Sequence, residues 1–140
     1  MKESISLIKH IFKHIFTKII MAYDEYLGDR IRQTLNEKQV HFTELKMMGG
    51  LCFKVEEKMI CGIHIDKKYG DSLLMLRIGE DEYKIQIDKE ECLPMDFTGR
   101  PMKGYVYVIP DGFDTDENLS YWLGLAILYN PFAKASKKKK

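Results

Sequence analysis

Apolar and polar positions alternate in pairs at the start of the chain. Leu7-Ile8, Ile11-Phe12, Ile15-Phe16 and Ile19-Ile20 are separated by Lys9-His10, Lys13-His14 and Thr17-Lys18. A four-residue step turns an α-helix by about 400°, so the apolar stripe keeps to one side and drifts by about 40° per repeat. The pattern predicts a basic amphipathic helix over residues 1–20. It excludes a secretory leader, which needs an unbroken apolar run and a small-residue cleavage site. Lysines at 9, 13 and 18 also interrupt the roughly 20 apolar residues that a spanning helix requires. Three readings fit the segment: docking on its own domain or on a second copy, contact with an anionic membrane surface, or omission through a second start at Met21. His10 and His14 share a face, but no third metal ligand is nearby, so they read as a solvated polar face.

From Met21 the periods change repeatedly. Tyr23, Tyr26, Leu27, Ile31 and Leu35 recur at helical spacing and predict a helix over 22–37, weakened but not broken by Gly28. Short apolar-rich runs follow at Thr43 to Met48, Leu51 to Val55, Met59 to Ile65 and Leu73 to Ile78, which read as strands. A two-residue turn at Glu56-Glu57 would set Val55 opposite Lys58 and, counting back, Cys52 opposite Cys61. Such a pair is either a redox-sensitive thiol couple or two small apolar side chains; directly opposed cysteines make strained disulfides, which favours packing. Glu-Glu is poor chemistry for a turn that wants positive φ.

Gly79 to Tyr83 opens a short helix whose acids suit the N-terminal dipole. Pro94 to Phe97 and Met102 to Ile109 bracket Thr98-Gly99-Arg100-Pro101 as a hairpin, with both prolines at strand ends or on an edge. Gly104 to Ile109 alternates tyrosine with valine, so tyrosines line one face. In the last helix Asp114 is the expected N-cap with Glu117 three residues later, and Leu119, Trp122, Leu123, Ala126 and Ile127 form the buried stripe, with Trp122 anchoring the sheet. Asn130-Pro131 ends it, and Lys134 with Lys137 to Lys140 reads as a disordered basic tail. Strands this close in sequence pair by hairpins. The expected fold is therefore α+β, an antiparallel sheet of five or six strands with helices on one face.

Length and charge refine this picture. The 140 residues, 45% hydrophobic and 31% charged, suit one folded domain. The net charge of +1 is a sum of unlike parts: +3 over residues 1–20, −7 over the 112 residues 21–132, and +5 over 133–140. These divisions give an amphipathic extension (1–20), an α+β domain (21–132) and a basic tail (133–140). Three cysteines, Cys52, Cys61 and Cys92, fit neither a disulfide framework nor paired zinc ligands, so a reduced, cytoplasmic protein without cofactor or metal is expected. There is no Gly-rich phosphate loop, zinc-protease motif or nucleophile elbow. The nearest enzyme reading would pair Cys61 with His64, and His64 and Asp66 share a strand face. The tail residues Lys137, Lys138, Lys139 and Lys140 would give only weak, salt-sensitive contact with nucleic acid.

The segments Lys46-Met47-Met48-Gly49-Gly50-Leu51-Cys52-Phe53, Leu76-Arg77-Ile78-Gly79 and Pro94-Met95-Asp96-Phe97-Thr98-Gly99-Arg100-Pro101-Met102-Lys103-Gly104-Tyr105-Val106 resemble the N-terminal domain of the TfoX/Sxy competence-regulator family. The resemblance runs from about Met21 to the Lys-rich end. It implies an antiparallel sheet flanked by helices, of the secretion-chaperone-like type, and no known catalytic centre. It also implies a transcriptional co-regulator role, because family members act on DNA-uptake genes alongside the cyclic-AMP receptor protein. Larger members carry a second, C-terminal domain, so this chain is expected to be a single-domain relative. The expected function is a non-enzymatic, protein-binding regulatory module whose partner is a transcription regulator or a second copy. Gly49-Gly50 permits a bulge or close backbone approach. Arg100 and Lys103 flank a turn and could hold an anion or a partner's carboxylate, and Arg77 is expected to pair with an acid or reach outward. Gly49, Gly50, Arg77, Arg100 and Lys103 are the candidate partner-binding residues.

Overall fold

Asp24 starts the first helix by accepting hydrogen bonds from the Tyr26 and Leu27 amides at 2.9 and 3.3 Å, which satisfies two donors that the first turn leaves unpaired. The computed structural model describes residues 23–47, 49–68, 70–95 and 102–135. Helix α1 runs Glu25–Glu37 and buries Leu27, Ile31 and Leu35, an i, i+4, i+8 stripe. Gly28 is buried on the side of α1 that faces the sheet, where a Cβ would make ordinary contact with Leu51 Cδ2 at 3.5 Å.

Six strands follow: β1 (Thr43–Met47), β2 (Gly50–Val55), β3 (Lys58–Asp66), β4 (Asp71–Arg77), β5 (Cys92–Pro94) and β6 (Tyr105–Val108). All pairs are antiparallel, in the order β1-β2-β3-β4-β6-β5. Helix α2 (Glu80–Gln86) lies between β4 and β5, and α3 (Asp116–Tyr129) follows β6. This is the expected α+β fold. One cluster joins Leu27, Ile31 and Leu35 of α1, Leu119, Trp122, Leu123 and Ala126 of α3, and one face of the sheet, including Leu51, Phe53, Cys61, Ile63, Leu74, Leu76, Val106 and Val108; Tyr83 and Ile87 at α2 pack against it. The tyrosine–valine alternation is as expected, with Val106 and Val108 in the core and the tyrosines half-buried on the other face.

The Cys52–Cys61 register is not formed. Val55 does face Lys58, but a bulge between Phe53 and Lys54 sets Phe53 opposite Cys61 and Cys52 opposite Gly62. Ile60 is the inserted residue, and both Ile60 and Cys61 join the core, as a bulge allows for neighbouring residues. The two thiols consequently lie on opposite faces. The turn itself forms with φ of +52° at Glu56 and +65° at Glu57, both left-handed, a conformation that opposes L side chains by about 1–2 kcal/mol per residue. Glu57→Gly is expected to raise stability by about 1 kcal/mol, read as a higher urea midpoint with an unchanged slope.

Helix α3 starts one residue later than expected. Thr115, not Asp114, is the N-cap and accepts from the Asn118 amide at 3.0 Å. The carbonyl of Asp114 is held instead by the Arg30 guanidinium of α1, which also takes the Phe113 carbonyl and the Asp116 carboxylate. At the other end Asn130 fastens the helix to the β2–β3 hairpin: its side chain donates to the Val55 carbonyl at 3.1 Å, and its own carbonyl accepts from Lys58 Nζ at 2.8 Å. The expected 1–20 helix, the turn holding Thr98 to Pro101 with Arg100, and Lys137 to Lys140 lie outside the described residues.

Candidate functional site

The register of β4 and β6 sets Arg77 opposite Tyr105 at one end of the sheet. The Arg77 guanidinium carbon lies 5.6 Å from the centre of the Tyr105 ring and 6.0 Å from that of Tyr129 at the end of α3, both within reach of cation–π attraction. Gly79 makes room for the second ring. Its φ is +88°, and a Cβ there would stand 2.5 Å from two Tyr129 ring carbons. The Gly104 carbonyl then accepts from both the Ile78 and Gly79 amides at 2.8 and 3.1 Å. Lys103 occupies the turn just before it and is exposed. Two of the distinctive sequence segments, Leu76 to Gly79 and Lys103 to Tyr105, are thus brought to the same corner.

Arg77 therefore does not do what its sequence context suggested. Among the described residues no carboxylate pairs with it, and it is half-buried between rings rather than extended into solvent. A guanidinium held beside two rings with no carboxylate partner among the described residues keeps a fork of donors for a carboxylate or phosphate from outside. Tyr129 is the member that sequence reasoning missed: it is only the last residue of an amphipathic helix, and the positive φ at Gly79 that admits it leaves no mark on periodicity. Gly49 and Gly50 are at the opposite end of the sheet, since Leu51 pairs with Ile63 while Arg77 lies beyond Leu76, the partner of Cys61. The five candidates thus do not form one patch, and Arg100 is outside the described residues.

Cys61 and His64 do not form a catalytic pair. They lie three apart on β3 and point to opposite faces, with Cys61 in the core. His64 Nε2 is 3.5 Å from Asp66 Oδ1 and its ring stands 5.4 Å from that of Tyr107. Burial pushes the Cys61 thiol far above its ordinary range, with the neighbouring Cys52 adding to the effect. Burial also raises Cys52, and burial followed by the Glu91 charge pushes Cys92 up from 9.0 to about 11. Raised thiol values mean that the unfolded chain releases these protons first. The stability that Cys92 contributes is full below about pH 9 and is lost as pH rises towards 11. Urea midpoints measured at pH 8 and pH 10.5 are expected to show the lower value at pH 10.5.

Among the described residues no group of three His, Cys, Asp or Glu side chains is placed to hold a metal, and no helix is long and apolar enough to cross a membrane. Comparison with protein-family models matches residues 35–128 to the TfoX N-terminal domain. The chain belongs to the TfoX N-terminal domain family. No curated protein and no solved structure gives a match. The family span opens in the last turn of α1 and closes one residue short of the end of α3, taking in all six strands. It is narrower at both ends than the resemblance read from the sequence. Within the TfoX domain lie Gly49, Gly50, Arg77, Gly79, Arg100, Lys103 and Gly104; Tyr129 is just outside.

Proposed function

We propose that this TfoX-type domain is a non-enzymatic regulatory module of the bacterial cytoplasm that binds a transcription regulator through the Arg77 end of its sheet. The observation that carries the reading is a half-buried guanidinium within 5.6 Å of the Tyr105 ring centre and 6.0 Å of the Tyr129 ring centre, with no carboxylate of the described residues against it. A partner's Asp or Glu would complete it, with the exposed Lys103 adding positive charge. Arginine and tyrosine are both enriched among the residues that carry most of the energy of protein interfaces. The −7 body disfavours nucleic acid as the direct ligand of this domain.

The test has two stages. The full chain is used to capture partners from a native bacterial lysate, and a captured regulator is purified and titrated against wild type, Arg77→Ala and Lys103→Ala. A DNA-binding regulator is expected among the captured proteins, with at least tenfold weaker binding by Arg77→Ala at an unchanged fold. Absence of any regulator overturns the transcriptional reading. Equal binding by the Arg77 variant overturns the surface.

A further inference from the structure

The sheet face turned away from the helices is apolar through its middle. Register aligns Leu45, Cys52, Gly62, Met75, Tyr107 and Leu93 in one row across all six strands. None of them belongs to the core cluster, and no described helix adds its buried side chains to this face. Even so, Cys52 is 7%, Met75 6% and the neighbouring Leu73 0% exposed, while Leu45 and Met47 on the β1 edge remain 42% and 39% exposed. The centre of the face is covered and its β1 edge is open.

Residues 1–20 have the chemistry, length and starting point to supply that cover. The stripe from Leu7 to Ile20 would extend about 20 Å as a helix, and six strands at their usual spacing are about 24 Å wide. The chain reaches α1 beside β1: Arg32 binds Glu44 of β1 through two hydrogen bonds of 2.7 and 2.8 Å and stands 3.8 Å from Glu25 in the first turn of α1. A segment ending at Tyr23 need only round the β1 edge, where Leu45 and Met47 would meet it. Its charge of +3 complements the −7 of the following 112 residues, and a tether this short gives a millimolar effective concentration. We propose that residues 1–20 fold back as an amphipathic helix across this face, setting Ile11, Phe12, Ile15 and Phe16 over Cys52, Leu73 and Met75 and leaving the lysines in solvent.

Cys52 is the reporter, because it is on the covered face whereas Cys61 and Cys92 are on the core side. In the full chain, Ile11→Asp combined with Ile15→Asp is expected to speed alkylation of Cys52 at least tenfold, read by peptide mass, with Cys61 and Cys92 unchanged. An unchanged Cys52 rate overturns the proposal. Should all three thiols accelerate together, the variant has unfolded, and the decision passes to a spin label at His14→Cys in the otherwise native chain. Broadening of the Met75 methyl resonance supports docking, and its absence overturns it. Light scattering separates the remaining occupants: a dimer whose Cys52 protection vanishes on dilution puts a second copy on the face and overturns the proposal. Protection that requires vesicles of anionic phospholipid puts a membrane there and overturns it equally.

Discussion

Trp122→Ala is expected to lower stability by about 3–5 kcal/mol, a large share of the roughly 5–15 kcal/mol that holds a domain together. Trp122 is among the largest fully buried side chains and belongs to the core cluster. Its Nε1 donates to the Gly112 carbonyl at 3.0 Å, tying α3 to the turn Pro110–Gly112 that brings the chain from β6. That turn fits closely: a Cβ on Gly112 would lie 2.4 Å from Val108 Cγ1. The Tyr121 ring stands edge-on to the indole at 5.5 Å, and the Lys89 ammonium lies 5.3 Å from it. Removing the indole leaves a cavity, frees the turn and orphans the Gly112 carbonyl. Trp122→Phe separates these effects, since it keeps much of the apolar volume and loses the hydrogen bond. Its expected loss is smaller, about 1–3 kcal/mol. Urea denaturation followed by circular dichroism checks both, and a loss below about 1 kcal/mol for Trp122→Ala would show that α3 is anchored elsewhere.

The elements themselves were legible because their periods were. Leu27, Ile31 and Leu35 mark α1, and Val106 and Val108 mark β6. Strand β5 departs from the pattern, since it runs Cys92–Pro94 where the sequence predicts a strand over Pro94 to Phe97, and α1 starts at Glu25 after an Asp24 cap rather than at residue 22. What escaped reading depends on distant contacts. Met59-Ile60-Cys61 is apolar throughout, so no alternation reveals which residue is inserted, and the bulge is set by packing Ile60 and Cys61 into the same core. Asp114 and Thr115 are both capable caps; the choice follows from Arg30, more than 80 residues earlier, gripping the Phe113 and Asp114 carbonyls. The candidate site divides in the same way. Arg77 and Lys103 were visible as residues of distinctive segments, but the corner they share exists only through Gly79, Gly104 and a tyrosine 52 positions beyond Arg77.

Gly50→Ala carries the second large effect, about 3 kcal/mol of destabilisation, and bears directly on the Gly49-Gly50 candidates. A Cβ at Gly50 would sit 2.6 Å from the Ile63 carbonyl oxygen and 3.2 Å from His64 Cβ. The nearer obstacle is backbone of β3, held in the ladder by its pairing with β2 and β4, so it cannot rotate aside as a side chain would. Relief requires separating β2 from β3 where the sheet begins. Gly49 differs: its φ is +78°, a left-handed turn that asparagine also adopts. Gly49→Asn is therefore expected to lose less than about 1 kcal/mol. Thermal melts of the two variants test this contrast, and titration with the regulator used for Arg77 completes it. A Gly50 variant that melts like wild type but binds weakly would make Gly50 a partner contact. The close approach to Ile63 leads to the opposite expectation: Gly50→Ala loses stability first, and its folded fraction binds as wild type does.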